Sequence, residues 1–254
     1  MALMTFPALR RRGGLALAGG LAAALLTGCT GSPDESGSPG PSGASGNPAG
    51  KGGPRSAVLL ADALRTALIT ETELPSYQAQ DISPSERRPE TDRAECSPLA
   101  EMTASGAART PEAADWASRS FLSSGTPGLT VTVSLFSYQG EGARTTLANV
   151  RKALKACANG FSTSGNTDGG TVKYVDVKSE DAPEGGDEAV AWTMTGTTPG
   201  NAMPVHLTAV RQGRNVAVFF ALNLLEPKEA QLPDDLHARQ VAKLAKAVAA
   251  AGKS

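Results

Sequence analysis

The sequence holds three cysteines, and the setting of the first decides what the other two can do. Cys29 stands at the end of an uncharged run, residues 13–27, that follows Arg10, Arg11 and Arg12. A basic start, a short apolar stretch and small residues before a cut site are the parts of an export signal. A run of about 15 residues is too short to span a bilayer, which takes roughly 20. Residues 1–28 therefore read as a signal peptide.

The cut falls before Cys29, with Leu26, Thr27 and Gly28 ahead of it. This pattern resembles the lipobox of bacterial lipoproteins. The resemblance implies lipid on Cys29, a new N-terminus there, and an anchor on the extracytoplasmic face of the cell membrane. In that oxidising compartment Cys96 and Cys157 remain as an even pair. One disulfide between them is the simplest expectation, two separate buried thiols being the alternative. Closing a loop of about 60 residues stabilises by roughly 4 kcal/mol in the chain-entropy model.

Residues 29–55, lipid-anchored at Cys29, are rich in Gly, Ser and Pro and hold almost nothing that could be buried. Such a segment is expected to be a disordered linker with a root-mean-square reach of about 25–30 Å. The apolar patterning starts after it, so residues 56–254 are expected to form one domain. With 24 basic and 25 acidic residues the formal net charge is −1, and nothing argues for a nucleic-acid partner. Aromatic residues make up only 4%, too few for extended stacking platforms.

Val58, Leu59, Leu60, Ala63, Leu64, Ala67 and Leu68 recur at helical spacing behind Ser56, which predicts a helix over 57–71. A short strand over 77–82 and a polar, proline-rich loop over 83–89 follow. Pro98 sits well in the first turn of a short helix that opens near Cys96. Residues 116–124 and 129–138 read as two strands joined by Gly125-Thr126-Pro127-Gly128. Val131, Val133 and Leu135 alternate with Thr130, Thr132 and Ser134, the mark of a half-buried strand.

Leu147, Val150, Leu154 and Cys157 share one face of a helix over 141–159. Strands are expected over 171–178, 188–195, 205–211 and 215–222. In the last of these both faces are apolar, as in a covered strand. A helix over 234–251, carrying Leu236, Val241, Leu244 and Val248, closes the chain. The fold class is α+β, one antiparallel sheet with helices packed on one face.

Catalytic chemistry finds no foothold in this sequence. The two histidines, His206 and His237, are expected on a solvated strand face and a helix surface, and no nucleophile motif accompanies them. No metal and no cofactor is expected. Glu180, Asp181, Glu184, Asp187 and Glu188 lack the alternation of a calcium loop and read as a solvated turn. Trp116 and Trp192 are candidate walls of a pocket for an apolar ligand, with plain core packing as the alternative.

Several stretches together carry a family resemblance: Cys96-Ser97-Pro98-Leu99; the strand with Trp116 and Phe121; the strand Val131 to Tyr138; and the helix ending Leu154-Lys155-Ala156-Cys157. Gly186-Asp187-Glu188-Ala189-Val190-Ala191-Trp192 and Val210-Arg211-Gln212-Gly213-Arg214-Asn215-Val216 complete the set. The chain resembles the PknH-type extracellular sensor domain of actinobacteria. That resemblance implies helices against an antiparallel sheet forming a cleft, and an extracytoplasmic ligand-binding role. Kinase-linked members carry a second disulfide, for which no cysteines remain here. The expectation is a non-enzymatic lipoprotein that binds a small, partly apolar ligand or envelope component. The alternative is a module that docks a cell-envelope protein.

Overall fold

The computed structural model describes residues 57–253 apart from 84–86, 105, 107, 166–169 and 199. The signal peptide, Cys29 and the linker expected up to residue 55 lie outside the described residues. Among these, nine strands form one antiparallel sheet. Its order is β1 (Tyr77–Asp81), β3 (Asp115–Ser123), β4 (Leu129–Ser137), β9 (Asn215–Asn223), β8 (Asn201–Gln212), β7 (Glu188–Thr198), β6 (Thr171–Glu180), β5 (Phe161–Ser164) and β2 (Glu90–Thr91). Four α-helices accompany it: α1 (Ala61–Ala67), α2 (Ser97–Met102), α3 (Gly142–Ala156) and α4 (Asp234–Ala251).

Strand β9 lies inside the sheet and is apolar on both sides, so each side needs a cover. Val216 and Val218 belong to a core shared with α2 and α3, and Phe220 packs against it. Ala217, Phe219 and Ala221 belong to a second core shared with α1 and α4. The α+β class and the antiparallel sheet agree with the sequence reading. The helices, expected on one face, divide between both. On β4 the row Thr130, Thr132 and Ser134 reads as solvent-facing, yet Ser134 is buried on the α2/α3 side, where Ser118 Oγ donates to its Oγ at 2.6 Å.

Helix α1 is shorter than its apolar spacing predicts because a side chain claims the segment before it. Asn215, fully buried, accepts from Leu59 N–H at 3.4 Å and donates from Nδ2 to the Ala57 carbonyl at 3.0 Å. Those bonds keep residues 57–60 out of the helix. At the other end of α1, buried Gln240 of α4 donates to the Ala67 carbonyl at 2.9 Å and accepts from Ile69 N–H at 3.0 Å. This satisfies a carbonyl that a helix C-terminus leaves without an internal partner.

Cys96 and Cys157 are joined, with Cα atoms 5.9 Å apart, so α2 and the end of α3 are tied by a covalent bond. Arg93 reinforces the joint, donating to the carbonyls of Ala156 at 3.0 Å and Gly160 at 3.1 Å. Leu147, Val150 and Leu154 of α3 point into the same core, as their spacing requires.

Strands β2 and β5 add one edge of the sheet that the sequence reading left out. Strands β7 and β8 also run further than expected, pairing as far as Thr198 with Asn201. Gly196, Pro199, Gly200 and Pro204 weaken the strand signal between residues 195 and 205. The strand tolerates Pro204 because pairing of β8 with β9 begins only at Val205 with Leu222. Beyond that point β8 is an edge, where a residue without an N–H can sit. An arm of β6, β7 and β8 thus extends past the end of β9.

Candidate ligand-binding cleft

The arm and the end of β9 enclose a cleft of about 570 Å³ on the α2/α3 side of the sheet. Val172 and Tyr174 of β6, Gly196 of β7, and Met203 and Val205 of β8 line it from the arm. Phe220 and Leu222 of β9, then Leu224 and Pro227 beyond it, form the facing wall. Thr103, just after α2, closes one side. Thr198, Asn201 and Asn223 supply the polar atoms at the rim.

Local sequence explains the space. Gly196 lies opposite Tyr174 and Met203, both on the cleft side. A Cβ at this glycine would come within 3.3 Å of both Tyr174 and Val172, so a larger residue would fill the floor. Buried Asn223 shapes the wall: its Oδ1 accepts from Leu225 N–H and Glu226 N–H, both at 2.9 Å, and its Nδ2 donates to the Pro127 carbonyl at 3.1 Å. This turn leaves Leu224 and Leu225 at 68% and 66% exposure beside the mouth.

A polar cluster stands behind the loop that follows α2. Arg109, buried, lies 3.4 Å from the ring centre of Phe136 and donates to the carbonyls of Ala104 and Gly106. Burial pulls its guanidinium below the usual value, while Tyr138 and Glu101 oppose the shift. Glu101, also buried, is pushed up by burial against the Thr110 N–H it accepts at 2.9 Å and the nearby Arg88. These charges brace the loop, and none of them lines the cleft.

The candidate site residues from sequence fall elsewhere. Trp192 is fully buried in the α2/α3 core, and Trp116 packs against that core from β3. Neither lines the cleft, which opens further along β7, beyond Gly196. His206 and His237 belong to the opposite side of the sheet. His237 is not on the surface: it is buried, with its ring centre 5.1 Å from that of Phe219, and burial lowers its pKa. His206 is half-buried, and burial lowers its pKa too, against Glu180 and Gln231.

The acidic turn is partly an ion-pair knot. Asp187 and Glu188 receive Arg211 at 2.9 and 3.0 Å, and Arg151 also bonds Glu188. Burial pushes the Glu188 carboxyl up, but the hydrogen bonds and charges of the two arginines hold it below the usual range. Gly186 makes the knot possible: with φ +66°, its missing Cβ would lie 2.5 Å from Val210 Cγ1 and 2.6 Å from the Arg211 carbonyl.

The arrangement of sheet and helices is similar in fold to a solved PknH extracellular domain. The crystal structure of the extracellular domain of PknH from Mycobacterium tuberculosis matches 77% of this chain and 99% of its own, with 12% identity and a TM-score of 0.51. An uncharacterised protein from Mycobacterium smegmatis, an Rv0999 ortholog, matches 76% of this chain and 97% of its own, with 14% identity and a TM-score of 0.40. No protein-family model and no curated protein matches the sequence. The stretches that carried the family resemblance, from Cys96 to the Arg211 knot, build the frame, and the cleft is lined by other residues.

The cleft residues escaped sequence reading because turn formers interrupt them. One signal was available. Leu222-Asn223-Leu224-Leu225 carries leucine past the end of a strand, where solvent-facing turns rarely place it.

Proposed function

We propose that this chain is an extracytoplasmic lipoprotein, held at the membrane by lipid on Cys29, with a sensor-like domain. The domain binds a small, partly apolar ligand or envelope component in its cleft and does not transform it. The observation that carries this reading is the cleft itself. Its volume falls in the range of small-molecule sites, and its walls are mostly apolar with a few polar groups at the rim. Likeness of fold to an extracellular domain is consistent with the exported location.

A second reading, docking of a cell-envelope protein, is favoured by one observation, the exposure of Leu224 and Leu225. Native mass spectrometry of the protein purified from its own host, before and after denaturation, separates the two. A small-molecule mass lost on unfolding, and lost without unfolding in Gly196→Leu, supports the ligand reading. A bare mass in the unaltered protein refutes a retained ligand and favours docking.

A further inference from the structure

The cleft shares a wall with a second cavity of about 110 Å³. Phe220 and Thr103 border both. The smaller cavity is lined in part by the hydroxyl-bearing Thr132 and Ser134 of β4. These residues stand directly across from Phe220 and Val218 of β9, so their side chains share its face of the sheet. An apolar chamber thus adjoins a small hydroxyl-lined one, with the Phe220 ring between them.

We propose, building on the ligand reading above, that the cleft takes a neutral amphiphile. Its apolar body fills the large chamber, and a small uncharged oxygen head, a hydroxyl or an ester or amide carbonyl, reaches past Phe220 to Ser134 and Thr132. Three observations carry this. Among the described residues, no charged side chain lines either cavity. An ionised head seated there would lose its water with no opposite charge to replace it.

The buried charges nearby stand outside both cavities: Arg109 donates through Nε and Nη2 to the Ala104 and Gly106 carbonyls, with Nη1 unpartnered among the described residues, and Glu101 accepts from Thr110 N–H and pairs with Arg88. Second, Ser118 Oγ donates to Ser134 Oγ, which leaves the proton of Ser134 to donate to an oxygen of the ligand. Third, size limits the head. The small cavity has about a fifth of the volume of the cleft, which suits a small head.

The test is displacement of the neutral fluorescent dye N-phenylnaphthylamine from the whole protein near neutral pH. The competitors are decanol, decanoate and decylammonium, which share one chain and differ in head charge. Decanol is expected to displace the dye at a concentration about tenfold or more below either ion, a difference of about 1.4 kcal/mol. Ser134→Ala and, independently, Thr132→Val should raise the decanol concentration needed severalfold while leaving dye binding unchanged. Decanoate or decylammonium competing as well as decanol overturns the neutral head, and leaves the ligand-binding cleft standing. Decanol competition unaffected by both variants overturns the seat at Ser134 and Thr132. Failure of the dye and of all three competitors to bind would refute the ligand reading itself.

Discussion

Replacing Gln240 with leucine should destabilise the domain more than almost any other single change of similar volume. The side chain is fully buried and spends both ends on backbone groups of one neighbouring segment. Leucine would leave Ile69 N–H and the Ala67 carbonyl without partners, at residues that are themselves 1% and 2% exposed. An orphaned buried group costs about 1–3 kcal/mol, so the pair costs about 2–6. Extra apolar burial by leucine returns about 1–2 kcal/mol. The net loss is about 3 kcal/mol, which for a domain of this size lowers the melting temperature by about 6–12 °C. Circular dichroism melts measure the shift, and amide exchange at Ile69 should accelerate with it. A shift below about 2 °C would refute the reasoning, because it would mean that water or a relaxed backbone satisfies both groups.

Three other expectations can be checked with the same melts. Cys96→Ser and Cys157→Ser should destabilise equally, by about 4 kcal/mol for a loop closed over a separation of 61 residues, and the double variant no further. Additive losses would show that each sulfur makes its own contribution. The Glu73 carboxyl is held at about 2, chiefly by the hydrogen bond from Lys243, against the opposing push of burial and with help from Thr70. Its folded value lies below its usual 4.5, so its contribution is complete above that pH and is lost as pH falls toward 2. The group is 42% exposed, so the effect is at most about 1 kcal/mol. Glu73→Gln should lessen the fall in melting temperature over that range, and an unchanged slope would exclude the pairing with Lys243 as its source. Gly196→Leu should abolish dye binding while lowering the melting temperature, because its Cβ crowds Tyr174 and Val172 at 3.3 Å, and retained binding by the folded variant would place the dye outside the cleft.

Much of the frame was legible because periodicity reports directly on burial. The two-sided apolar pattern of Val216 to Ala221 marked a covered central strand, and Leu147, Val150 and Leu154 marked the inner face of α3. The placement of the helices was less legible. An apolar stripe says that a helix has a buried side, not which face of the sheet receives it. The hydroxyl row on β4 then pointed to an open face that is in fact closed over Ser134.

The length of α1 depended on Asn215, more than 150 residues away in sequence, and no local propensity contains that information. Trp116 and Trp192 drew attention as wall residues because of their size, yet size is what places tryptophan in a core. The cleft was hidden for a different reason. It is made by Gly196 and by the residues around Pro204, types that reduce the strand signal in the same place where they leave room for a ligand.

Asn215 and Asn223 stand at opposite ends of β9, eight steps apart, or about 27 Å at roughly 3.4 Å per residue. The first fixes the incoming chain at Ala57, and the second shapes the mouth of the cleft. A mechanical load on the N-terminus therefore enters at the end of the sheet remote from the cleft. The ladders of β9 with β4 and β8 carry it along their length, and β4 is paired with β9 over all nine of its positions. Tension applied at Ala57 would be spread through those hydrogen bonds before it could distort the cleft walls. In the proposed lipid-anchored state, the point of attachment and the cleft lie at opposite ends of one strand.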